Sequence, residues 1–238
     1  MRSYRLALVP LVALTATWAA AEPTYAGTPT AVKPTQRVAT LLSMHEAFSK
    51  PDQTSASLGP VAARRPLTGE RTALPVLGGT TTAGGSRWLY VRLPGRPNGH
   101  AGWIRQRATV VSTTGWHIVV STSRRRVTVY HYGRPVRIVK AIVGKPSTPT
   151  PRGRFFVEEA IQMRPADVGA PYALALSARS YVLQEFDGGP GQIALHGLAN
   201  VGGVLGTAVS HGCVRLGGDM MGWLVIRIGP GVPVTITS

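Results

Sequence analysis

The densest chemistry in the sequence lies between His196 and Leu216. His196-Gly197 is followed by a Gly-rich connection, and that leads into Ser210-His211-Gly212-Cys213-Val214-Arg215-Leu216. A thiol attacks a carbonyl as thiolate, and a neighbouring imidazole promotes this by taking the proton. In Gln192-Ile193-Ala194-Leu195-His196, Ile193 and Leu195 share the apolar side of a strand, so His196 projects from the opposite side, beside the small Ala194. That places a base on a rigid element with space next to it. Gly212 allows close backbone approach to a substrate, and the amides around Gly212 and Cys213 can point at a developing oxyanion. Two other uses of these residues remain open. His196, His211 and Cys213 could hold a zinc ion with one open position, although His211 and Cys213 are only two apart and no carboxylate lies near as a supporting partner. Cys213 could also be a small buried hydrophobe.

The elements that must carry this site read as strands. Trp116–Ser121 and Val127–Tyr132 form a hairpin whose turn holds Arg124-Arg125-Arg126, and Gly133-Arg134-Pro135 turns the chain into Val136–Val143. Phe155–Val157, Tyr181–Glu185, Gln192–His196 and Pro233–Ile236 complete the set, with Asp219–Ile228 as the clear helix. The 28 Gly and 19 Pro argue in the same direction, because both residues interrupt helices. The expected fold is mainly β, with one or two helices.

Upstream, Arg2 and Arg5 precede an apolar stretch ending in Ala19-Ala20-Ala21, the layout of a secretory signal over residues 1–21. A Pro-, Thr- and Ala-rich linker is expected over 22–37 and a first domain over 38–112. The single Cys leaves no disulfide framework and no lipidation site at the cleavage point. The chain holds 26 Lys plus Arg against 10 Asp plus Glu, a net charge of +16. Such a surface attracts polyanions. An export signal and the lack of helix-turn-helix, zinc-finger or RNP patterns argue against nucleic acid and leave anionic cell-wall polymers or anionic lipid as the polyanion, with a solvated basic surface that has no dedicated partner as the other reading. No integral span is expected after cleavage; an uncleaved signal anchor is the alternative.

Two resemblances follow from these motifs. Trp88-Leu89-Tyr90-Val91 with Gly102-Trp103-Ile104 resembles the late strands of bacterial SH3-like domains, which implies a small barrel over 38–112. Ser210–Leu216 with His196-Gly197, supported by Val127–Val143 and by Thr148-Pro149-Thr150-Pro151-Arg152-Gly153-Arg154-Phe155, resembles the L,D-transpeptidase (YkuD-type) catalytic domain, here 113–238. One departure is Leu198, where members of the family commonly carry Thr or Ser. The resemblance implies Cys213 as nucleophile and His196 as general base, oriented by the Gly197 carbonyl. It implies His211 and Gly212 at the oxyanion site, Ser210 bracing the turn, Arg215 holding the loop or a substrate carboxylate, and Tyr172 on a substrate flap. It further implies a peptidoglycan crosslinker acting on tetrapeptide stems by 3→3 transfer, with no metal or other cofactor. A carboxypeptidase of the same fold and a wall-binding protein with a vestigial site are the alternatives.

Overall fold

The computed structural model describes residues 32–185 and 189–238, and the expected signal at 1–21 lies outside them. Among the described residues, seven strands precede residue 115: β1 (Gln36–Leu41), β2 (His45–Phe48), β3 (Ser57–Val61), β4 (Ala73–Thr81), β5 (Arg87–Arg92), β6 (Ala101–Arg105) and β7 (Thr109–Thr114). They form one sheet in the order β3-β2-β6-β5-β4-β1-β7. The linker expected to end at 37 gives way earlier, because Gln36 and Arg37 pair with Thr114 and Thr113. The same pairing carries β7 through the expected boundary at 112/113.

The second sheet is built from β8 (Trp116–Ser121), β9 (Arg126–His131), β10 (Arg134–Lys140), β12 (Gly153–Gln162), β13 (Tyr172–Arg179), β14 (Gln192–His196), β16 (Val214–Arg215) and β17 (Pro233–Thr237). Its order is β10-β9-β8-β17-β12-β13-β14-β16. Two short strands, β11 (Val143–Gly144) and β15 (Ala208–Ser210), pair beside it, and α1 (Gly218–Val225) is the one α-helix among the described residues. The fold is therefore mainly β.

Two expectations need correcting. Tyr181–Glu185 is not a strand. The Ser180 hydroxyl accepts the amides of Val182 and Leu183 at 3.3 and 3.0 Å, so the chain turns out of the sheet and leaves Tyr181 and Val182 exposed. The strand in this region is β13, whose alternating Ala and Leu residues have little β propensity of their own but are buried on both faces. Tyr172 consequently opens β13 rather than sitting on a flap.

Strand β12 joins the two sheets. Phe155 packs into the core with Ile118, Leu174, Leu195 and the α1 residues Met221 and Leu224. Its neighbour Phe156 points the other way, into the core of the first sheet with Leu41, Leu89 and Ile104. Two buried carboxylates follow. Glu158 receives Arg65 from the first sheet's connections, Arg179 at 3.3 Å and the Gln192 amide at 3.2 Å. Glu159 accepts the Thr68 amide and hydroxyl at 2.9 and 3.0 Å. Asn98 adds a reciprocal pair with the backbone of Arg179, at 2.7 and 2.8 Å. A buried carboxylate is tolerated only while its partners remain, and removing one commonly costs several kcal/mol. A fragment beginning at Thr113 would expose Phe156 and strip Arg65 from Glu158. Near-ultraviolet circular dichroism of that fragment should show lost tertiary packing, and Arg65→Met in the full chain should lower stability by about 3 kcal/mol in urea unfolding. A native-like, cooperatively unfolding fragment would refute this shared-strand account.

Candidate active site

The site is created by the register of β16 on β14. The two strands run parallel with Leu195 opposite Val214 and His196 opposite Arg215. One step back along both chains sets Ala194 beside Cys213, and the Ala194 backbone hydrogen-bonds the thiol. Because side chains alternate, Ile193, Leu195, Val214 and Leu216 fill the core, while Ala194, His196, Cys213 and Arg215 share the other, partly open face.

Backbone contacts hold each residue there. The Leu216 amide bonds the His196 carbonyl at 2.9 Å, and Arg215 and Ile142 exchange backbone bonds at 2.9 and 3.0 Å. The His196 Nδ1 lies 2.8 Å from the Gly197 carbonyl. A carbonyl only accepts, so Nδ1 carries the proton and Nε2 is left with its lone pair. Ser210 spans the turn: its hydroxyl donates to the Cys213 carbonyl at 2.6 Å and accepts the Gly212 amide at 3.2 Å. The Gly212 amide is thus already used within the turn. Gly212 itself has φ +124°, open to glycine and strained for other residues.

Several residues to which the sequence reading gave no role prove structural to the site. Thr150 accepts the Gly144 amide at 2.9 Å and donates to the Gly212 carbonyl at 2.8 Å, tying β11 to the Ser210–Cys213 turn. Thr148 donates to the Ser210 carbonyl at 3.3 Å. Lys145 donates its amide to that carbonyl at 2.9 Å and brings Nζ within 3.4 Å of His211 Nε2. Gly169, in the loop between β12 and β13, lies flat against the His196 ring and bonds backbone to backbone with Gly197 at 2.7 Å. Their signal in the sequence is weak, since Thr and Gly are common in turns.

Other candidates are placed differently. Arg215 forms no ion pair among the described residues; its Nη1 reaches the Gly202 carbonyl at 3.3 Å, and its Nε is buried without a partner. His211 is exposed. Tyr172 packs against the α1 core, and alternation from Ala173, the register partner of His196, puts it on the opposite face of the sheet. It is therefore removed from the substrate side. Among the described residues, no three His, Cys, Asp or Glu side chains converge to hold a metal ion.

Burial pushes the Cys213 thiol up, partly offset by the Ala194 amide and the Arg215 charge. Burial also pushes His196 down, helped by Arg215 and opposed by Gly197. Both shifts favour the uncharged forms, the thiol at Cys213 and the neutral imidazole at His196.

Residues 115–236 match the L,D-transpeptidase catalytic domain model (YkuD), half of the chain, and the protein belongs to that family. It is 30% identical over 132 residues to L,D-transpeptidase 1 of Mycobacterium tuberculosis, covering 50% of this chain and 49% of that one. It is 31% identical over 125 residues to the putative L,D-transpeptidase YkuD of Bacillus licheniformis, covering 52% of this chain and 67% of that one. The chain thus spans about half the length of its mycobacterial relative. A crystal structure of an L,D-transpeptidase from Mycobacterium tuberculosis H37Rv superposes with a TM-score of 0.42 at 17% identity, over 64% of this chain and 90% of that one, too loose a likeness to bear on the site.

Two outcomes test this geometry. Alkylation of Cys213 by iodoacetamide should be slower at neutral pH than that of a free cysteine and should accelerate into the alkaline range, since the folded thiol titrates above its ordinary value. Arg215→Met should shift that profile further up; a profile shifted down would refute the charge assignment. Gly169→Ala would set a methyl 2.9 Å from His196 Cγ at φ +91°. It should cost about 1–3 kcal/mol in stability and displace the imidazole, read as a shifted His196 signal in NMR titration.

Proposed function

We propose that the protein is an exported peptidoglycan L,D-transpeptidase in which Cys213 and His196 perform acyl transfer on tetrapeptide stems. The observation that carries the reading is the shared face of Ala194, His196, Cys213 and Arg215, with His196 held by Gly197 so that Nε2 is the basic nitrogen. As Cys213 Sγ bonds to the carbonyl of the third stem residue, its proton passes to His196 Nε2. Collapse of the tetrahedral adduct breaks the bond to the terminal D-Ala, whose amine takes that proton, and a thioester remains. A side-chain amine of a second stem then attacks the thioester, gives its proton to His196, and releases Cys213 with a 3→3 link. Splitting one difficult transfer into two steps is what a nucleophile contributes, and no metal is needed.

Because Ser210 already occupies the Gly212 amide, the Cys213 amide is the donor we assign to the oxyanion, with His211 beside it. Arg215 restrains the Gly-rich loop through Gly202 and presents a half-buried cation to a stem carboxylate. The first sheet is the SH3-like domain of this reading, and its closure onto β12 supports the catalytic strands. No helix among the described residues is long and apolar enough to cross a membrane; export rests on the residues at 1–21.

Incubation with a disaccharide-tetrapeptide, followed by intact mass, tests the reaction. The wild type should release D-Ala and gain the stem mass on Cys213, and Cys213→Ala should do neither. His196→Ala should slow acylation about 10²–10⁴-fold, the usual loss for a general base. A crosslinked dimer identifies the transpeptidase, and free tripeptide alone identifies a carboxypeptidase. Absence of any adduct with both amidated and free-acid stems would overturn the assignment in favour of wall binding alone.

A further inference from the structure

The face of the second sheet that carries α1 is turned away from the catalytic residues, since Leu174 and Leu195 pack with Met221 and Leu224 while His196 pairs with Ala173 on the other side. At its outer edge stands an ordered aromatic and cationic cluster that the acyl-transfer reading does not use. Trp116 stacks on His131 with ring centroids 4.0 Å apart and meets Trp223 edge-on at 5.8 Å. Two guanidiniums lie over the Trp223 ring, Arg137 at 5.1 Å and Arg227 at 4.5 Å from its centroid. Both being that close to one centroid, they are no more than about 10 Å apart.

Among the described residues these cations have no ion-pair partner. From Arg71 to Val157 the sequence contains no Asp or Glu. None of the ion pairs among the described residues involves Arg134, Arg137 or Arg227. Asp219, one turn before Trp223 on α1, is the adjacent acid, and it too forms no ion pair there. Arg137 spends one N–H on the Val136 carbonyl at 3.2 Å, and Arg227 one on the Trp223 carbonyl at 3.0 Å. Each guanidinium has five N–H groups, of which a single one is accounted for by these backbone bonds. Both side chains are exposed, and Arg134 extends the line along the edge strand β10.

We propose that the Arg137–Trp223–Arg227 stack, extended by Arg134, is a docking site for a linear polyol-phosphate polymer of the cell surface. The guanidinium fork fits a phosphodiester's two free oxygens bidentately, and a flexible chain of single negative charges can follow cations fixed a few ångströms apart. Single-stranded nucleic acid carries the same phosphates but gains much of its affinity from bases stacked on open aromatic faces. Here Trp223 is covered by guanidiniums and Trp116 by His131. A lipid surface would draw the indole into the acyl region only by taking both cations with it. Docking on this face leaves the catalytic face free to work on nearby stems.

Fluorescence polarisation of the full chain with labelled poly(glycerol phosphate) tests the site. Arg137→Gln/Arg227→Gln should weaken binding about tenfold and flatten the dependence of log K on log salt by about two, one per lost phosphate contact. Cys213 alkylation should be unchanged, so this site and the acyl transfer fail separately. Arg137→Lys/Arg227→Lys, which keeps charge but not the planar fork, should restore the salt slope without the affinity. Unchanged binding in the Gln variant, full affinity in the Lys variant, or tighter binding to an oligothymidylate or to phosphatidylglycerol vesicles would each overturn the proposal.

Discussion

Everything at the candidate site depends on one alignment, the parallel pairing that sets Leu195 against Val214. Side chains alternate with a period of two, so a slip of a single residue would send Cys213 and Arg215 into the core and bring Val214 and Leu216 to the surface. Two residues of strand cannot specify that register alone. It is fixed from both ends, by the Leu216–His196 bond and the Arg215–Ile142 exchange on one side and by the Ser210 and Thr150 hydroxyls on the other. One Thr150 hydroxyl accepts from β11 and donates to the Gly212 carbonyl, so the loop before β12 is tied to the Ser210–Cys213 turn.

The His196 imidazole is held by different means. His196 ends β14, and the strand's other end, Gln192, is hydrogen-bonded to Glu158 and to the Leu176 carbonyl. Glu158 in turn needs Arg65 and Arg179. A chain of polar contacts therefore runs from the first sheet to the strand that carries the imidazole. Buried carboxylates of this sort add little to stability compared with apolar packing, but they demand specific partners. The result is that the first sheet contributes order to the catalytic strands as well as burying Phe156.

The legibility of this architecture in the sequence varied with the physics involved. Trp116–Ser121 and Gln192–His196 match β8 and β14 residue for residue: β14 alternates cleanly, β8 is a short β-branched run, and a glycine borders each. β12 was read only as Phe155–Val157, since Glu158 and Glu159 look like the end of a strand until partners distant in sequence neutralise them. β13 was missed for the opposite reason: its Ala, Leu and Ser residues have no periodic contrast, being buried on both sides. At the site, His196 and Cys213 stood out by residue type and spacing. Thr150 and Gly169 did not, because their roles arise from backbone contacts that no local pattern reports.

The electrostatics favour the protonated form of the Cys213 thiol. In so basic a chain a thiolate would be the easy expectation, yet burial outweighs the nearby Arg215 charge and the Ala194 amide at Cys213. Arg215 acts in opposite senses on the two partners, favouring the thiolate and disfavouring the imidazolium, so it cannot by itself create an ion pair between them. In the proposed reaction, charge separation would be driven by the arriving carbonyl as Nε2 accepts the proton. A thiol kept protonated is also slow to oxidise, because the thiolate is the species that reacts with oxidants. The burial that raises the Cys213 thiol thus also shields the sulfur from oxidation.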